Sequence, residues 1–175
     1  MAVDERDEEL MVRVARGDGA ALATLVGRWQ EPLHRLLWRQ TGGRDADDLF
    51  QETWLRVVRA ADRFDPSRRF STWLFQIALN LARDWQRRRP PEPVDPTTIE
   101  TAAPDGAAAR DAALDAQRLL AALPDGQRLV VALRVQEDLD EGEVARILGI
   151  PRGTVKSRLH QAMRTLAARV RGERA

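Results

Sequence analysis

The side chains best suited to chemistry in this chain are hydrogen-bond donors and cations, concentrated in DEGEVARILGIPRGTVKSRLHQAMRTL near the C-terminus. At about 100° per residue, Gly153, Lys156, Ser157, His160, Gln161 and Arg164 fall on one side of a helix. Val155, Leu159, Ala162, Leu166 and Val170 fall on the other, with Arg152 and Arg158 flanking the seam. The polar side offers donors for base edges and cations for phosphates, which is recognition of duplex DNA without bond making. The element that must position it is a helix-turn-helix. Asp140 suits an N-cap, and Glu143 three residues later completes a capping box. Gly149 stands where a tight turn wants positive φ, and Pro151 suits the first turn of the next helix. Ala145 is small where two helices cross, and Val155 returns to the core. A plain amphipathic hairpin would share the apolar face. The three steric positions combined with the basic face favour the DNA reader.

A second set lies in STWLFQIALNLARDWQRRR. Ser71 is the expected N-cap. Leu74, Ile77, Ala78, Leu81 and Trp85 share one face. Thr72, Gln76, Asn80, Arg83 and Arg87 share the opposite one, with Trp73 at its border. An amide-rich and Arg-rich face beside aromatic rings suits unpaired DNA, because bases stack on rings while Arg follows phosphates. The preceding loop, Phe64 to Phe70, carries Arg68 and Arg69 and has room for a base taken out of the stack. Core packing is the competing role for Trp73, Phe75 and Trp85. A third set is acidic. Asp45, Asp47 and Asp48 open the segment DADDLFQETWLRVVRA, where carboxylates complement a helix dipole. Asp48, Gln51, Glu52 and Arg56 continue as a polar face outside Leu49, Thr53, Val57 and Val58, and such a face can also dock on a basic partner.

Composition limits the alternatives. The chain has no cysteine, which excludes disulfides and thiolate metal sites and fits a cytoplasmic location. Only His34 and His160 are histidines, and no carboxylate cluster completes a metal site around either. No metal, cofactor or catalytic residue is therefore expected. Tyrosine is absent and no serine sits in a convincing nucleophilic constellation, which argues against a recombinase-like enzyme. No segment approaches the roughly 18 apolar residues of a membrane span, and the acidic N-terminus has no signal-peptide core. The net charge of +1 hides an uneven distribution. Residues 144–175 hold eight basic residues against one acidic, and residues 68–89 hold six against one, so both recognition segments are locally basic.

Apolar residues recur at helical spacing and no segment alternates as a strand would, so the chain reads as all-α. Helices are expected from near Asp7 to Arg16, from Asp18 or Gly19 to about Gln40, from near Asp45 to about Ala61, and from after Phe70 to about Arg88. Pro32 should kink or break the second, and Thr41-Gly42-Gly43 should end it. Five prolines between Pro90 and Pro104 mark a linker. It is acidic: residues 90–112 hold five carboxylates and one arginine. Helical pattern resumes from Ala109 to Ala122, breaks at Leu123-Pro124-Asp125-Gly126, and continues from Gln127 to about Val135. The expected organisation is two small helical domains, 1–89 and 113–175, joined by a Pro-rich acidic linker over 90–112, the second domain ending in the helix-turn-helix.

Together, DADDLFQETWLRVV, FSTWLFQIALNLARDWQRR, LPDGQRLVVALR and GTVKSRLHQAM, in that order around a Pro-rich gap, resemble an extracytoplasmic-function sigma factor of bacterial RNA polymerase. The resemblance implies that the first domain corresponds to sigma region two. There Asp47, Asp48, Leu49, Phe50, Gln51 and Glu52 would dock on the β′ clamp helices. Arg68, Arg69, Phe70, Thr72, Trp73, Gln76, Asn80, Arg83 and Arg87 would read and melt the −10 element. The second domain would correspond to region four, with Arg152, Gly153, Thr154, Lys156, Ser157, Arg158 and Gln161 on the −35 element and the β flap as a further contact. Implied partners are core polymerase, promoter DNA and an anti-sigma factor, with a monomer when free and no membrane insertion. Gln161 and Met163 stand where the family often has Arg, and Leu139-Asp140-Glu141-Gly142 replaces a more usual Leu-Ser-Tyr-Glu, which bears on the −35 preference. A linker of about 20 residues in polyproline form spans roughly 60 Å, enough for elements one and a half helical turns apart. The alternative from another class is a stand-alone helix-turn-helix regulator, which would bind duplex DNA tightly without polymerase.

Overall fold

The computed structural model describes residues 5–88, 116 and 118–172, and among these there are helices and no strand. The chain divides into two compact units, Met1–Asp95 and Pro96–Ala175. The whole of the 90–112 linker and the first part of the helical pattern expected from Ala109 lie outside the described residues.

In the first unit α1 (Asp7–Val14) buries Leu10, Met11 and Val14. Asp7, Glu8 and Glu9 fill its first turn, where negative charge is favoured by the helix dipole. Helix α2 (Gly19–Thr41) starts at Asp18, whose carboxylate accepts from the Ala20 and Ala21 amides at 2.9 and 3.1 Å. The Ala21 amide and then Arg13 hold this carboxyl below its ordinary pKa. Pro32 does not break α2, which runs unbroken to Thr41. Gly42 and Gly43 end it with positive φ, and the Trp38 indole lies so close to Gly43 that a Cβ there would come within 2.6 Å of it. Helix α3 (Ala46–Arg59) buries Ala46, Leu49, Thr53, Trp54 and Val57 at helical spacing. Val58, expected inside, is exposed. After a 3₁₀ turn at Ala61–Arg63, α4 (Phe70–Arg88) buries Leu74, Phe75, Ala78, Leu79, Leu81 and Ala82 against α2 and α3.

Aromatic rings form a continuous series through this unit. Phe50 meets Trp54 at 6.4 Å, Trp54 stacks on Phe70 at 6.4 Å, and Phe70 meets Phe64 and Trp73 at 6.0 and 6.2 Å. Trp29 joins from α2, edge-on to Phe70 and Phe75.

In the second unit residues 118–121 are helical. Arg128 donates to the carbonyls of Leu120, Ala121 and Leu123, so one guanidinium closes that helix end. Helix α5 (Asp125–Val131) continues as a π-helical turn, Ala132–Gln136. Helix α6 (Glu141–Leu148) carries the expected capping box: the Glu143 amide donates to Asp140 at 2.9 Å, and Glu143 accepts from the Asp140 amide at 2.7 Å. Gly149 ends α6 with φ 67°. Helix α7 (Arg152–Gly172) turns back on α5 and α6, burying Val155 and Ala162 and half-burying Leu159 and Leu166. Val170, expected on this apolar face, is exposed.

The Glu143 amide, aided by Arg146 and Arg152, lowers the Asp140 pKa. A depressed carboxyl stabilises the fold above its ordinary pKa and loses that contribution as pH falls through the folded value. Asp140→Ala is expected to cost about 1 kcal/mol at neutral pH. Asp140→Asn keeps the acceptor but not the titration, so the melting temperature of the wild type should fall more than that of the variant between about pH 5 and pH 3. Circular dichroism of both proteins across that range checks it, and parallel curves would contradict it.

Candidate nucleic-acid interface

The first turns of α7 divide the predicted contacts into two groups. Arg152, Gly153, Lys156 and Ser157 are exposed, and Thr154 is half-buried. Arg152 reaches Glu141 at 3.3 Å, and the Ser157 hydroxyl donates to the Thr154 carbonyl. His160 and Arg164, expected on the polar side of the same helix, are exposed and extend this surface. Arg158 behaves differently. Its guanidinium lies over Gly126 of α5, where a Cβ would sit 3.2 Å from Nη1. Gln161 accepts from Gln127 of α5 at 3.3 Å. Both side chains are thus engaged with α5, a contact invisible to a reading of α7 alone.

On the first unit, the loop before α4 is pinned at both ends. Phe64 and Phe70 are buried, and residues 65–69 between them are exposed. Asp65 accepts from the hydroxyl and amide of Ser67 at 2.7 and 3.0 Å, which lowers its pKa, and Arg68 lies 3.4 Å away. Arg68 and Arg69 therefore project from a structured turn. Helix α4 starts at Phe70, so Ser71 sits inside its first turn and is buried. Phe70 and Thr72 are also buried, so in this conformation neither side chain is presented to DNA. Trp73 is half-buried, its ring centroid 5.1 Å from that of Phe64. Gln76 is half-buried, while Asn80, Arg83 and Arg87 are exposed. Farther along, Asn80, Arg83, Asp84, Gln86 and Arg87 line an open groove, in which Arg83 donates to Asn80 and Arg87 pairs with Asp84. Asp84 and Gln86 were not predicted. The far end of α4 is tied down by Trp85 Nε1 to Asp45 and Gln86 Nε2 to the Gln40 carbonyl, both 2.7 Å.

A third surface lies on α3. Asp47, Asp48 and Gln51 are exposed, and Glu52 and Phe50 are half-buried. Leu49 is buried and belongs to the core, not the surface. Asp47 accepts from or pairs with His34 Nε2 at 2.9 Å, and Glu52 pairs with Arg56 at 3.0 Å. Leu55 and Val58 are exposed at the next turns after Gln51, so the acidic face continues into an apolar one.

The arrangement has relatives. The Sigma-70 region 2 family matches residues 25–90, and the Sigma-70, region 4 family matches residues 113–166. The ECF RNA polymerase sigma factor SigW of Bacillus subtilis (strain 168) is 32% identical over 184 residues, covering 93% of this chain and 98% of its own. The chain belongs to the ECF sigma factors of RNA polymerase. The ECF RNA polymerase sigma-E factor of Escherichia coli (strain K12) is likewise 32% identical, over 94% of each chain. Among solved structures, CnrH in complex with the cytosolic domain of CnrY is 30% identical, with a TM-score of 0.70 over 96% of this chain and 99% of that one.

As an ECF sigma factor the protein is a DNA-binding subunit for transcription initiation. The sigma factor's acidic α3 face and its α4 face both fall within the region 2 match, and the α6–α7 turn falls within the region 4 match. Helix α1 precedes the region 2 match, although it packs on α2 and contacts the start of α4.

Proposed function

We propose that this sigma factor docks on core polymerase through Asp47, Asp48, Gln51 and Glu52, with Phe50 beside them. It reads the −10 strand with Arg68, Arg69, Trp73, Gln76, Asn80, Arg83 and Arg87, and the −35 duplex with Arg152, Gly153, Thr154, Lys156 and Ser157. Arg158 and Gln161 act from the edge of that surface, held by α5. Phe70 shapes the loop from inside, and Thr72 and Leu49 serve packing in the conformation described. Two domains divide the work, residues 1–89 and 113–175, and the 90–112 linker lets them reach separate promoter elements. The protein catalyses no reaction of its own and works in the cytoplasm with the polymerase. CnrH is captured with the cytosolic domain of CnrY, and a comparable anti-sigma partner is part of this reading.

The observation that carries the proposal is the exposed run of Arg152, Lys156 and Ser157 on a helix whose opposite side is locked by Val155 and Ala162. Such a surface supplies cations for phosphates and donors for base edges. Run-off transcription with purified core enzyme tests it: promoter-specific product is expected with the full chain and none with core alone. Tight binding to a palindromic duplex without polymerase would instead favour the stand-alone regulator.

Lys156→Ala should weaken −35 duplex binding by the holoenzyme and reduce the slope of log affinity against log salt by about one. Titration at several salt concentrations measures both. An unchanged slope would remove Lys156 from the phosphate contacts.

A further inference from the structure

The first amide of α4 has an unusual partner. A helix begins with orphan N–H groups that a short side chain usually satisfies. Ser71 lies inside the helix, and the residue before Phe70 is Arg69, which has no side-chain acceptor. The Phe70 amide instead donates to Oε1 of Glu8 on α1, 62 residues away, at 3.0 Å. Glu8 is held in place by its own helix: Leu10, Met11 and Val14 are buried. Its neighbour Asp7 accepts from Arg28 Nη1 at 2.7 Å and from Trp29 Nε1 at 2.8 Å. Trp29 packs edge-on against the Phe70 ring. Two adjacent carboxylates thus act on one residue, Glu8 on its amide directly and Asp7 on its ring through Trp29.

Phe70 is the residue at which the exposed turn carrying Arg68 and Arg69 ends. We propose that Glu8 is a positioning residue for −10 recognition, setting where the turn at residues 65–69 meets α4. This rests on the reading that this turn and α4 contact the −10 strand. The carboxylate has a second effect. It sits at the positive end of α4, a place that otherwise attracts phosphate. With that place taken, a DNA phosphate is directed to Arg68 and Arg69, and the strand enters in one register. Loss of Glu8 should therefore damage discrimination between sequences more than total affinity.

The test uses holoenzyme assembled from the full chain and core enzyme. The probes are two fork-junction DNAs with an unpaired −10 strand, one carrying a promoter that the wild-type holoenzyme transcribes in run-off and one with that strand scrambled. The readout is the ratio of the two dissociation constants. Glu8→Ala is expected to reduce the ratio roughly tenfold, about the effect of one hydrogen bond to a charged group. Glu8→Gln, which keeps an acceptor oxygen at the same reach but not the charge, should recover the part of it that a neutral hydrogen bond supplies. Glu8→Asp keeps the charge but is one methylene short and should behave like Glu8→Ala. It also serves where the alanine variant does not fold, with −35 duplex binding and the melting temperature as folding controls. A merely structural role would lower stability and both affinities together, leaving the ratio unchanged, and that result overturns the proposal. So does a glutamine variant as impaired as alanine. If the wild type itself does not distinguish the probes, the −10 reading fails and takes this proposal with it; if the wild type discriminates and Glu8→Ala does so equally, only the role of Glu8 falls.

Discussion

Phe70→Ala is expected to destabilise the first unit by about 3–5 kcal/mol, the range for removing a large buried ring. The Phe70 side chain is fully buried. It contacts rings from α2, α3, the preceding loop and α4 itself, so no single neighbour can move in to fill the space. The measurement can be confined to the unit concerned. All five tryptophans, at 29, 38, 54, 73 and 85, lie in the first unit, so tryptophan fluorescence during urea unfolding reports on it alone. The midpoint should drop sharply while the second unit, followed by −35 duplex binding, is spared. A loss under 1 kcal/mol would mean that the ring cluster is looser than its geometry indicates.

The second large effect concerns α3. Asp48 is exposed on the acidic face and lies outside the core, and its structural contribution is confined to the favourable charge it places in the first turn of α3. Asp48→Arg puts a cation where a basic partner is proposed, and like charges across an interface cost several kcal/mol. Holoenzyme assembly, followed by co-purification with core subunits, should weaken at least tenfold, with helicity unchanged. Normal assembly would contradict the docking role of α3. A charge-neutral Asp48→Asn should fall between the two, since it removes attraction without adding repulsion.

What could be read from the sequence follows from how far each signal reaches. Asp18, the Asp140–Glu143 box, Gly42-Gly43 and Gly149 all mark helix ends as expected, because a cap and its amides lie within a few residues. The apolar periodicity placed Leu49, Thr53 and Val57 of α3 and Leu74, Ala78 and Leu81 of α4 in the core, but it did not single out Leu79 and Ala82, and Ile77 and Trp85 are only half-buried. Failures came from contacts across long separations. Ser71 looked like the cap of α4, yet Glu8 serves from another helix. Arg158 and Gln161 stand with the expected −35 contacts on α7, and nothing local in the sequence signals that α5 also holds them at Gly126 and Gln127. Phe70 and Thr72 were grouped with the DNA face although the structure buries both, because angular position does not reveal which neighbours cover a helix start. Pro32 lacks one amide donor, but tertiary packing keeps α2 in one piece around it, with Leu33, Leu36 and Leu37 buried.

The ring series from Phe50 to Trp73 has an evolutionary consequence. One end borders the proposed docking face and the other the proposed strand-reading loop, so a change of ring size at Trp54 or Phe70 is felt at both ends. Substitutions at contacting positions are generally not additive. A lineage that altered promoter preference through these aromatic positions would need compensating changes on the polymerase side, whereas changes at the exposed Arg68, Arg69, Asn80 or Arg83 would not disturb the ring series. Divergence in promoter choice should therefore concentrate at the exposed positions, with the ring series holding nearly constant.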